Sequence, residues 1–126
     1  MSESEKKQIG SSLINFADAL ERCGGDKEFL GEMLAEFLSF SKTQIRNIVQ
    51  AIDDQNLEVL TREAHSIKGA SANLGAESIT QTALELELCG KNRQLDNTRD
   101  LLDKLNAQLR ELDEFMKQPE NLYSQQ

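Results

Sequence analysis

The chain has one histidine, one proline, one tyrosine, two cysteines and no tryptophan in 126 residues, and each scarcity removes a class of function. A single histidine rules out a His-rich metal site inside a helical bundle, and no metal or other cofactor is assigned. Cys23 and Cys89 have no second cysteine nearby, so neither zinc-ligand spacing nor a CxxC redox pair is present. They read as reduced thiols in or near a core. No Gly-rich phosphate loop, GxSxG elbow or HExxH motif occurs. No stretch approaches the roughly 20 apolar residues that span a bilayer. The start, "MSESEKKQIG", lacks the apolar segment of a signal peptide, so a cytoplasmic protein without a membrane partner is the expectation.

What is present is acidic and helix-forming. The net charge of -8 comes from 22 acidic and 14 basic residues spread along the chain. Without a basic stripe to neutralise phosphates, nucleic acid is disfavoured as a partner. The 38% apolar content suits one soluble domain, and a chain of this length buries roughly two thirds of its unfolded surface. Pro119, the only proline, lies in the terminal "QPENLYSQQ", so nothing between residues 11 and 117 forbids helix. Leu, Ala, Glu, Lys, Gln and Arg favour it.

Turn residues divide this region. A short helix near Leu13 to Arg22 presents Leu13, Phe16, Ala17 and Leu20 on one face and ends at "CGGD". A long helix follows over roughly Lys27 to Ile52, its stripe marked by Phe29, Met33, Phe37, Ile45, Ile48 and Ile52 and widened by Leu30, Leu34, Leu38, Phe40 and Val49. "DDQN" makes the next break. A third helix carries Leu57, Leu60, Ala64, Ile67, Ser71 and Leu74 to a stop near Gly75. A fourth starts around Ala76 or Glu77, turns Ile79, Ala83 and Leu86 inward, leaves Leu84 and Leu88 surplus, and frays at "CGKN". A fifth spans about Leu95 to Met116. The expectation is an all-α fold: an antiparallel up-and-down four-helix bundle with a short additional N-terminal helix over residues 11–117, flanked by polar tails at 1–10 and 118–126. No pattern for an obligate dimer is visible, and a monomer is expected.

The one histidine sits in "AHSIKGASANLGA". At 100° per residue, His65 falls about 130° from the centre of the third helix's apolar stripe, and Gly69 lies nearly opposite that centre. The imidazole therefore faces outward. Spacing alone allows an ordinary surface histidine, but the neighbours are unusual. Gly69 and Ala72, at i+4 and i+7, leave the ground beyond the ring almost bare, although an interior glycine costs a helix roughly 1 kcal/mol relative to alanine. Lys68 at i+3 and Arg62 at i-3 are available cations. A neutral imidazole lone pair, a cation and a flat approach surface are what transfer of an anionic group to another protein requires. Ser71 reads as a small packing residue bonded back to its helix, and Gly75 as a C-cap.

At these residues the sequence resembles the histidine-containing phosphotransfer (HPt) family of two-component phosphorelays. The family pattern is histidine, any residue, an aliphatic, then Lys-Gly, small residues and Gly-Ala; here it runs from His65 through Lys68, Gly69 and Ser71 to Gly75 and Ala76. The resemblance covers roughly residues 11–117. It implies that His65 accepts a phosphoryl group through Nε2 from the phospho-aspartate of a receiver domain and passes it to another. It implies that Lys68 steadies the phosphoryl group and that Gly69 is kept bare for the receiver. Ser71 and Gly75 match structural positions, with Ser71 a candidate for orienting the ring. Receivers of response regulators or hybrid histidine kinases are the implied partners. The divalent metal would belong to the receiver, and this chain would be a phosphocarrier without kinase machinery. A helical adaptor that binds receivers without transfer, and the phosphoacceptor module of a hybrid or chemotaxis-type kinase, are the alternative readings.

Overall fold

The computed structural model describes residues 14–117, so the expected tails at 1–10 and 118–126, together with Leu13, lie outside the described residues. Among the described residues five helices follow one another: α1 (Phe16–Arg22), α2 (Lys27–Asp53), α3 (Leu57–Asn73), α4 (Glu77–Lys91) and α5 (Thr98–Met116). There is no strand among the described residues. None of these helices is long and apolar enough to cross a membrane.

Polar caps set the starts. Asn15, Asp26 and Asn56 each accept a hydrogen bond from the backbone N–H three residues on, at 3.1, 3.0 and 3.1 Å. Each satisfies a donor that the first helical turn leaves without a partner. The ends of α1 to α4 share one closure. A residue with positive φ (Gly24, Gln55, Gly75 or Arg93) is followed by an N–H that bonds five residues back. The four bonds run Gly25 to Leu20, Asn56 to Ala51, Ala76 to Ser71 and Gln94 to Cys89, at 2.8, 2.8, 2.9 and 3.0 Å. The fourth helix ends within "CGKN", at Lys91, with Gly90 still helical. The fifth begins at Thr98 rather than Leu95, whose carbonyl instead accepts from the Thr98 hydroxyl at 2.7 Å.

α3 packs against α4 and α2, α5 packs against α4 and α2, and α1 touches α2. Leu34, Ile48, Leu60, Ile67, Ile79, Leu86, Leu105 and Leu112 are completely buried between them. Each such side chain contributes about 1.5–3 kcal/mol relative to exposure. Two expectations need correction. Phe29 and Phe40, placed on the long helix's buried stripe, are 45% and 38% exposed, while Ser41 and Ala51 are buried. The apolar residues of α2 wrap more of its circumference than its neighbours cover. In α1, Ala19 rather than Ala17 is buried, with Ile14 buried just before the cap.

Candidate functional site

α3 and α4 run antiparallel, and their facing residues define a register. Gly90 lies against Thr61, Glu87 against His65 and Lys68, and Thr80 against Ser71. The i, i+4, i+7 spacing of Thr61, His65 and Lys68 puts all three on one edge of α3. Ala64 and Ile67, on the adjoining face, are fully buried and hold the helix in this rotation.

His65 projects outward, its side chain 64% exposed, as its angle on the helix predicts. Its inner nitrogen, Nδ1, lies 2.8 Å from Glu87 Oε2. Glu87 is 2% exposed and also faces two cations: Lys68 Nζ at 2.6 Å from Oε1 and Lys91 Nζ at 3.4 Å from Oε2. Burial pushes its carboxyl upward. The close Lys68 ammonium, the His65 hydrogen bond and the Lys91 ammonium outweigh that and hold it at about 2. An ionised carboxylate only accepts, so Nδ1 carries the hydrogen and donates. In the neutral ring the lone pair is then on Nε2, the outward nitrogen. Two ammonium groups and one carboxylate leave one net positive charge around that lone pair.

The ground beyond the ring is bare. A Cβ built at Gly69 meets nothing within 4 Å, and Ala72 is exposed. Beside this strip, α2 and the C-terminal half of α3 enclose a groove of about 420 Å³ lined by Phe29, Met33, Phe40, Ala70 and Leu74. On α4, Leu88 is 42% exposed immediately after Glu87, and Leu84 is half-buried.

The remaining expected residues take different places. Arg62 is exposed and pairs with Glu63 Oε1 at 3.3 Å rather than joining the cations on Glu87. Ser71 is buried, donates to the Lys68 carbonyl at 3.0 Å and shares a 2.7 Å hydrogen bond with Thr80. Its hydroxyl fixes α3 to α4 and does not touch the ring. Gly75 ends α3 with φ +73°. Arg22, bonded to Asp18 at 3.0 Å, donates to the Ala72 and Asn73 carbonyls at 3.3 Å and so caps the same helix end.

Sequence reasoning missed Glu87, Lys91 and Arg22. Glu87 left a usable signal: it stands four residues after Ala83 and eight after Ile79, both inward positions. An acid on that stripe requires a partner.

Two solved structures share the fold. The histidine-containing phosphotransfer protein B (HptB) from Pseudomonas aeruginosa PAO1 matches with a TM-score of 0.74 and 23% identity, over 86% of this chain and 91% of that one. The HPT domain from a sensor hybrid histidine kinase of Shewanella matches with a TM-score of 0.70 and 18% identity, over 90% and 97%. No curated protein matches by sequence. The family model for the Hpt domain matches residues 32–115, two thirds of the chain and both faces of the His65–Glu87 pair. The chain belongs to the Hpt domain family.

Proposed function

We propose that this protein is a phosphorelay intermediate: His65 takes a phosphoryl group from a receiver phospho-aspartate and gives it to another receiver aspartate. The observation that carries the reading is the 2.8 Å contact between Nδ1 and the buried Glu87 carboxylate, which directs the lone pair outward. In the forward step the Nε2 lone pair attacks phosphorus. The bond from phosphorus to the aspartate oxygen breaks, and its electron pair leaves with the aspartate as carboxylate. The ring gains the phosphoryl group without losing its Nδ1 proton and becomes an imidazolium. Glu87 balances that charge, while Lys68 and Lys91 offset the phosphoryl oxygens. Attack by a second aspartate reverses every step. No ATP site and no metal of the chain's own enter this scheme; the divalent ion comes with the receiver.

The four long helices serve as an up-and-down bundle with α1 over one end, acting as a monomer in the cytoplasm. Gly69 and Ala72 form the landing strip for the receiver, Arg62 lies at its edge, and the apolar ground of Phe29 and Phe40 extends it. Ser71 and Gly75 hold the scaffold.

The test is transfer from a phosphorylated receiver. Label is expected on the wild-type protein in acid-labile, base-stable form, and none on His65→Gln. Lys68→Ala is expected to fold normally and transfer about tenfold more slowly, the loss of one charge-assisted contact. Full transfer to His65→Gln refutes the assignment, and an unchanged rate in Lys68→Ala removes the lysine from it.

A further inference from the structure

Glu87 can reach His65 only if α4 lies close to α3, and one residue controls that closeness. Gly90 stands one turn beyond Glu87 on α4, facing Thr61, which stands one turn before His65 on α3. A Cβ at Gly90 would overlap Thr61 Oγ1 outright and would stand 3.1 Å from the Thr61 nitrogen and 3.2 Å from the Leu57 carbonyl oxygen. The Thr61 hydroxyl is committed, donating to that same carbonyl at 2.7 Å. Turning it aside relieves the first overlap but leaves the two backbone contacts, which are fixed by the α3 helix itself. Side chain at this position therefore forces α4 away from α3 by a few tenths of an ångström. Glu87, three residues away on the same rigid helix, moves with it.

The contrast with Gly69 is informative. Both glycines lie within helices, Gly69 in α3 and Gly90 in the last turn of α4. Gly69 faces open space, whereas Gly90 is buried against backbone. Only the second sets a helix–helix distance. The opposite end of the contact is closed by the 2.7 Å bond between Ser71 and Thr80, so an added methyl at Gly90 opens α3 and α4 from the Glu87 end.

From this we infer that Gly90 is a positioning residue: by allowing α4 to touch the α3 backbone at Thr61, it places the Glu87 carboxylate on Nδ1 and so fixes which ring nitrogen of His65 is nucleophilic. The inference rests on the phosphotransfer reading for its consequence, but its geometry is testable without any receiver.

The experiment uses nitrogen-15 NMR of the His65 ring in the full chain. In wild type the neutral ring is expected as the Nδ1–H tautomer. In Gly90→Ala the Nδ1–H population is expected to fall towards that of Glu87→Gln, and receiver-dependent labelling to slow by about threefold to tenfold. Thr61→Ala in the Gly90→Ala background, which removes the hydroxyl overlap, is expected to recover part of both signals. Leu112→Ala serves as a control for stability alone, because Leu112 is a buried core residue of α5. It is expected to lower the unfolding temperature without moving the tautomer ratio. A Gly90→Ala protein that is folded, less stable and unchanged in tautomer would reduce Gly90 to a packing residue and overturn the inference. Should Gly90→Ala not fold, Thr61→Leu places the bulk from the α3 side and must shift the tautomer in the same direction. A tautomer shift with no labelling of any variant keeps the positioning role and sinks the phosphotransfer reading instead.

Discussion

Replacing Glu87 with glutamine keeps the shape of the side chain and removes its charge, and the cost depends on pH in a calculable way. The carboxyl moves from an ordinary value of 4.5 to about 2 on folding. At 1.36 kcal/mol per unit, the ionised form contributes on the order of 3 kcal/mol to folding. The carboxylate side chain is 3% exposed, but His65 and Lys91 are 64% and 56% exposed, so solvent screens their share and this figure is an upper bound. A depressed pKa stabilises above the unfolded value and loses that stabilisation as pH falls through the folded one. The wild-type protein is therefore expected to exceed Glu87→Gln by up to about 3 kcal/mol at pH 7, with the gap shrinking below pH 4.5 and nearly closed at about pH 2. Urea unfolding of both proteins across this range measures the gap directly, since the other carboxylates cancel in the difference. At pH 7 the same gap corresponds to a drop of roughly 10 °C in Tm for a domain of this size. A gap that is absent at pH 7, or that stays constant down to pH 2, would refute the claim that Glu87 is held ionised by Lys68, Lys91 and the His65 N–H.

Other expectations follow from single positions. Gly69→Ala should raise stability by about 1 kcal/mol, because the new methyl meets nothing and helix propensity improves; chemical denaturation checks it. Gly69→Leu should leave the fold intact and weaken receiver binding, and unchanged affinity by calorimetry would show the bare strip to be irrelevant. Gln55→Gly should stabilise by about 0.5–1 kcal/mol, since Gln55 holds φ +54° at the end of α2, where glycine is unstrained. Cys23 should react with a thiol reagent well before Cys89, whose thiol is pushed up by burial and then by the Glu85 charge; a mass-spectrometric time course orders the two.

The parts of this molecule that were legible in the sequence are those that one helix decides by itself. The outward direction of His65, the bare Gly69 and the C-cap at Gly75 follow from local period and backbone chemistry, and the structure places them as expected. What two helices decide together was not legible. Glu85 and Glu87 look alike in "TALELELCG"; only the rotation of α4 buries one and half-exposes the other. Gly90 looked like the start of a fraying end because its partner, Thr61, lies 29 positions earlier in the chain. Phe29 and Phe40 were read as core because period alone does not say how much of a long helix its neighbours cover. Arg62 is expected from spacing as the second cation beside the ring, but Lys91 takes that place for the same reason: besides Lys68, the cation that reaches Glu87 comes from the acid's own helix, four residues on.

The central claim is that Glu87 keeps the proton on Nδ1 and leaves Nε2 to attack. Phosphorus–nitrogen correlation NMR of the phosphorylated, nitrogen-15-labelled protein reads this directly. The account predicts one phosphohistidine, at residue 65, with phosphorus coupled through Nε2 and hydrogen retained on Nδ1. Phosphorus bonded to Nδ1, or phosphate carried on any other residue, would contradict it.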